Sequence, residues 1–352
     1  MRKLRLMALG ALCATAVILP VVGAAGAQAA QVASFTPLTL KNGWTGAPFG
    51  TSNPAVSNIS GIVHFKGAIA TSGTNPVPFT LPTADRPATN VYVPVDLCDA
   101  TNGRLFIQHN GTVSVEAEGN NFSNAQCFTS LDGVSFAKSG TFTALKLKNG
   151  WTNKPFGTSS AGARTVSGIV HLKGAIATSG TNPVPFTLPA AFRPATNVFV
   201  KVDLCNSANG RLFIQHNGTV TVDVENNFSD AQCFTSLDGV SYAKSASSFT
   251  TLALQNGWTD APFGTSNAAV RTISGVVQLK GAIATSGTNS VPFTLPAGFR
   301  PAANVFVPVD LCNATNGRLD ISTDGTVSVQ AEGGNFSNAQ CFTSLDGVTF
   351  VP

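Results

Sequence analysis

The stretch LKNGWTGAPFGT occupies Leu40–Thr51, returns as LKNGWTNKPFGT at Leu147–Thr158, and returns again as LQNGWTDAPFGT at Leu254–Thr265. Each copy begins 107 residues after the last. A second marker closes each copy: QCFTSLDGVSF at Gln126–Phe136, QCFTSLDGVSY at Gln232–Tyr242 and QCFTSLDGVTF at Gln340–Phe350. A period near 100 residues is too long for a solenoid turn or a propeller blade, and matches a small domain with its own core. The chain therefore divides into repeats at 35–138, 143–244 and 250–352, joined by the short segments SGTF and SASSF.

Inside one copy the hydrophobic period is two, the mark of half-buried strands. In SGVVQLKGAIA, Val277 and Leu279 share one face while Gln278 and Lys280 share the other; His64 and His171 hold the outward position of Gln278. NVYVPVDLC reads as a strand, and Pro94, or Pro308 in copy three, assigns it to a sheet edge. GRLFIQHNGTVSV reads as a hairpin turning at Asn110-Gly111, with Leu105, Ile107, Val113 and Val115 inward. Copy three turns at Asp324-Gly325, where a type I′ pair is expected. TSGTNPVPFTLP is a proline-punctuated loop, and no helical periodicity stands out. The expected fold is all-β: three tandem antiparallel β-sandwich or barrel domains.

The first residues point to export. Arg2, Lys3 and Arg5 precede an apolar run from Leu6 to about Val22, and Ala27-Gln28-Ala29 supplies a small-x-small cleavage pattern, so 1–29 reads as a signal peptide. Cys13 leaves with it. Beyond that peptide, 18 Lys and Arg face 17 Asp and Glu. A near-neutral chain without a basic cluster argues against a nucleic-acid partner. No later segment is long and apolar enough to read as a spanning helix. The six remaining cysteines fall two to a copy, which pairs Cys98 with Cys127, Cys205 with Cys233 and Cys312 with Cys341 in an oxidising compartment. A metal or redox role is disfavoured, because no C-x-x-C occurs and no histidine neighbours either cysteine.

Leu-x-Asn-Gly-Trp, Gly-x-Val-x-x-x-Gly, Leu-Pro-x-x-x-Arg-Pro, a Gly-Thr-Val hairpin and Ser-Leu-Asp-Gly-x-x-Phe follow one another in each copy. This order resembles the C-terminal receptor-binding domain at the tips of phage tail fibres. The resemblance implies an all-β knob that binds a cell-surface receptor, often a glycan, and assembles as a trimer. Here a secretion signal replaces the fibre shaft, a cysteine pair is added, and three copies share one chain. One chain would then supply all three lobes of a pseudo-threefold knob as a monomer; the rival arrangement is three heads on a string.

Candidate ligand residues follow. Trp44, Trp151 and Trp258 would stack on sugars or pin the core. Arg86, Arg193 and Arg300 would hold an anion or brace a loop. Phe106 and Phe213 point outward from their hairpins, beside His109 and His216; copy three carries Asp320 and Thr323 there. An outward aromatic either meets a neighbouring domain or a ligand. A Ser-His-Asp triad repeated in every copy is excluded, since copy three contains no histidine. The repeated carboxylates Asp96, Glu118 and Asp132 would suit a glycosidase, or a cation site together with nearby Asn oxygens, yet Asp132 and Glu118 read as solvated turn and loop positions. The expectation is a secreted, non-enzymatic protein without metal or cofactor that binds a cell-surface or wall polysaccharide. The alternatives are a structural protein of the cell or spore surface and, less favoured, a carbohydrate-active enzyme.

Overall fold

The alternation read from the sequence builds the strands of each repeat. The computed structural model describes residues 34–352; the signal peptide at 1–29 and Cys13 lie outside the described residues. In the first lobe the strands are β1 (Thr36–Pro37), β2 (Trp44–Gly46), β3 (Ala55–Ile59), β4 (Ile62–Lys66), β5 (Ala68–Thr71) and β6 (Phe79–Thr80), followed by β7 (Val91–Asp96), β8 (Asn102–Ile107), β9 (Thr112–Ala117), β10 (Thr129–Ser130) and β11 (Ser135–Ala137). They form three antiparallel sheets, ordered β1-β3-β4-β11, β10-β5-β2 and β6-β9-β8-β7, and the other lobes repeat the pattern. Val56, Val63, Phe65, Val93, Leu105, Ile107, Val113 and Phe136 fill the core between them. The fold is all-β in tandem units, as the period implies.

Two local readings are corrected. A short helix, α1 (Phe122–Cys127), follows β9 in the first lobe, with counterparts at Phe228–Cys233 and Phe336–Cys341; six residues are too few for periodicity to reveal. The β8–β9 hairpin does not use a type I′ turn. Gly111 N–H donates to Gln108 O, and Gln108 N–H to Thr112 O. Only Gly111 takes positive φ (90°), as in a three-residue loop whose glycine occupies the left-handed position.

Cys98–Cys127, Cys205–Cys233 and Cys312–Cys341 are bonded, each within its own lobe. The indoles of Trp44, Trp151 and Trp258 are buried, 4–5 % exposed. Their Nε1 groups donate to Asn75 O, Asn182 O and Asn289 O, 2.9 Å each. They pin the core and present no free face to a ligand.

The lobes close into a ring. β7 and its counterparts, Val198–Asp203 and Val305–Asp310, are edge strands of their sheets, and each touches both of the others. Arg104 Nη1 reaches Asp203 Oδ2 in lobe two, Arg211 reaches Asp310 in lobe three, and Arg318 returns to Asp96 in lobe one, all at 3.2 Å. Asn102 Nδ2 donates to Ser207 O, Asn209 to Ala314 O and Asn316 to Ala100 O in the same cycle. A contact that returns from the third lobe to the first requires pseudo-threefold closure, and the described residues pack as one unit. This is why the SLDG loop recurs. A Cβ on Gly133 would lie 2.7 Å from Val307 Cγ1 of lobe three, and Ser130 Oγ donates to Phe306 O across the same boundary.

Asp132 and Asp96 are buried, which corrects the solvated reading of the Asp-Gly turn. Asp132, Asp238 and Asp346 accept the backbone N–H of Gly67, Gly174 and Gly281. Burial outweighs those bonds and pushes each carboxyl up to about 7. A raised folded-state pKa stabilises fully below the unfolded value near 3.8, and that stability is lost as pH rises through about 7. Thermal unfolding should therefore shift upward as pH falls from about 7 to 5, by about 1.4 kcal/mol per pH unit for each carboxyl protonated only in the fold. Asp132→Asn, Asp238→Asn and Asp346→Asn together should remove about half of that slope, since Asp96, Asp203 and Asp310 are raised to about 7 as well. An unchanged slope would place the protons elsewhere.

Candidate functional site

The chain places its most exposed aromatics in one strained loop per lobe. Phe49, Phe156 and Phe263 are 62 %, 59 % and 62 % exposed, and each adopts left-handed backbone (φ 55°, 53° and 55°). Ala47, Lys154 and Ala261, two residues earlier, are left-handed as well. A bulky residue there is a backbone outlier costing about 1–2 kcal/mol. Such strain persists only where the surroundings over-determine it. Here the next lobe does so. Asn90 of lobe one donates its Nδ2 to Phe156 O and its backbone N–H to Gly157 O, both 3.1 Å. Asn197 holds Phe263 O, and Asn304 holds Phe49 O, in the same way.

A second left-handed loop faces each Phe. Asp99, Asn206 and Asn313 have φ of 56–58° beside the disulfides. Between lobes one and two, Phe156, Phe234, Asn206, Tyr92 and Arg104 line a groove together with Cys205. Between lobes three and one, Phe49, Phe128, Asp99, Phe306 and Arg318 line its counterpart with Cys98. These grooves measure about 120 and 80 Å3. A ligand of any size must therefore lie across the surface. The aromatic floor continues beneath the boundary. Phe156 meets Phe234 edge-on at 5.7 Å, Phe234 meets Tyr92 at 5.0 Å, and Tyr92 stacks on Phe106 at 4.5 Å. Lobes two and three repeat the ladder through Phe263, Phe342, Phe199 and Phe213.

The arginines of the interlobe ring form the polar wall. Arg104 lies 4.9 Å over the Tyr92 ring and pairs with Glu116 at 2.6 Å as well as with Asp203. Its guanidinium is thus immobilised at the groove wall. A polar cleft of about 260 Å3, lined by Arg104, Glu116, Asn120 and Asn206, runs on from it. Exposed ring, fixed guanidinium and carboxamide together suit a polyhydroxylated ligand, whose C–H faces stack while its hydroxyls bond the polar wall.

The remaining sequence candidates sit elsewhere. Phe106 and Phe213 are half-buried and stack on Tyr92 and Phe199 of their own lobes, the rings that carry the ladder across the boundary. Arg86, Arg193 and Arg300 brace loops, each donating Nε to a carbonyl five residues back (Leu81, Leu188, Leu295) at 3.0 Å. His109 and His216 are exposed, and their backbone N–H groups donate to Asn90 and Asn197, the side chains that hold the strained Phe loops. The sequence reading missed Phe49, Phe156 and Phe263. Their only signal was Pro-Phe-Gly, repeated without change inside the opening stretch.

At the ring axis one lobe differs from the others by a charged residue. Lys201 stands where the other lobes have Pro94 and Pro308, and it is buried. Its Nζ donates to Asn209 Oδ1 and, at 2.7 Å, to Asn316 Oδ1. Burial lowers its pKa, while Glu118, Glu332 and Glu225 pull it back. Glu118 and Glu225 are themselves pushed up, chiefly by burial. The repeated glutamates thus converge on one lysine rather than on a substrate groove. The chain matches no protein-family model, no curated protein and no solved structure, so the groove geometry is the basis for a functional reading.

Proposed function

We propose that the protein is a secreted, non-enzymatic binding protein that displays three glycan sites, one at each lobe boundary, to a cell-surface or wall polysaccharide. The observation that carries this reading is the exposed Phe of each lobe. It is held in unfavourable backbone by its neighbour, beside an arginine locked in place. A large ring left exposed on strained backbone in all three copies is what a surface built for stacking would show. Disulfides within every lobe suit an extracellular setting. The resemblance to a fibre knob points to the same class of receptor.

A glycan array probed with the mature chain should identify a ligand. Phe49→Ala, Phe156→Ala and Phe263→Ala combined should then weaken surface binding by about 100-fold or more, because three weak sites act through avidity. Unfolding should move little, since each ring is mostly exposed and alanine keeps the same left-handed backbone. Unchanged binding by the folded triple variant would sink the groove reading. Failure to bind any glycan, together with insoluble self-assembly, would favour a structural surface protein.

A further inference from the structure

An axial cavity of about 40 Å3 lies between the β3–β4 hairpin of lobe one and its counterparts. Equivalent residues from all three lobes line it, so it straddles the pseudo-threefold axis. Ile62, Ile169 and Val276 supply apolar wall; His64, His171 and Gln278 supply polar groups, together with serine and threonine side chains. These are the side chains that alternation turned outward from their own lobes, and closure of the ring turns them toward the axis.

The charge around them is one-sided. Gln278 is 5 % exposed, and its Nε2 finds no acceptor, a costly state for a buried donor. Burial lowers the pKa of His64 to about 4. Burial first, then His64 and Arg164, lowers that of His171 to about 3. Both rings are therefore neutral, and each keeps one N–H. Among the described residues, none of those lining the cavity is acidic, and the one charged side chain acting on these rings is Arg164. A cation would enter without compensating charge. No cluster of three His, Cys, Asp or Glu side chains suited to a metal occurs among the described residues. At the Lys201 site the reverse holds: acceptors surround a buried cation.

We propose that this cavity binds one small monovalent anion of the chloride–bromide class, held by Gln278 Nε2 and the N–H groups of His64 and His171. The space suits a single ion of that size, given that a water molecule occupies about 30 Å3 in the liquid. One ion taking a donor from each lobe would tie the three lobes together along the axis.

The test uses the untagged mature chain at pH 7.5. Thermal unfolding is followed from 10 to 300 mM sodium bromide against sodium fluoride at equal ionic strength, and bromide-grown crystals are measured at the bromine edge. The expected result is a bromide-specific rise of about 3 °C and one anomalous peak on the axis. His171→Leu with Gln278→Leu adds apolar groups to an apolar cavity, so the variant should fold and lose both signals. His171→Gln keeps a donor, which lobe three already uses at this position, and should retain them. Equal responses to both halides without a peak would mean that water alone occupies the cavity. A bromide response that survives in the double Leu variant would place the ion elsewhere. Zinc binding lost in that variant, with no halide response, would make the cavity a metal site. Each of these three outcomes overturns the proposal.

Discussion

Replacing Arg104, Arg211 and Arg318 together by Met is expected to open the ring. Each change leaves a carboxylate (Asp203, Asp310 or Asp96), at most 1 % exposed, without its cation. Removing one partner of a buried pair costs about 3–5 kcal/mol, so three such losses rival the whole stability of a typical domain. The native chain should scatter as one globule with a radius of gyration of about 20 Å, whereas separated lobes should exceed about 30 Å. Acid should restore part of the loss. Burial, opposed by the arginine, already pushes these carboxyls up to about 7. At pH 5 the unpaired groups take up protons and shed the charge that made them costly. A triple variant with the native radius and unfolding temperature at pH 8 would show that apolar contacts alone hold the ring.

Lys201→Met is expected to cost about 3 kcal/mol at pH 8. It leaves Asn209 and Asn316 without their donor and Glu118, Glu225 and Glu332 without their common cation. The deficit should shrink by half or more at pH 4.5, where Glu118 and Glu225, pushed up by burial, take up protons. A deficit independent of pH would instead mean lost packing around the lysine stem. Lys201 also bears on why three copies share one chain. In a homotrimer any axial residue appears three times, and three buried lysines would repel one another. The tandem chain can place one.

Much of each lobe was legible. The 107-residue spacing set three units, and the paired cysteines set three bridges. Alternation in GRLFIQHNGTVSV assigned Leu105, Ile107, Val113 and Val115 to the core, where all are at most 1 % exposed. Pro94 and Pro308 marked an edge strand, because proline cannot donate to a ladder on both sides. The candidate site was not legible. Phe after Pro in a tryptophan-bearing stretch suggests core, and only the left-handed backbone held by Asn90, Asn197 and Asn304 turns the ring outward. His64, His171 and Gln278 read as solvent-facing, because alternation distinguishes a lobe's inside from its outside but does not reveal what covers the outside.

By itself the sequence determined the repeat, the bridges, the strand faces and the hairpins, all of which depend on residues close in the chain or on a period. Tertiary structure alone decided the closed ring, the buried Lys201, the grooves and the axial cavity. These rest on pairs such as Arg104 with Asp203 and Arg318 with Asp96, 99 and 222 residues apart. Such pairs leave no periodic trace, because each partner lies on a face that its own lobe presents as surface.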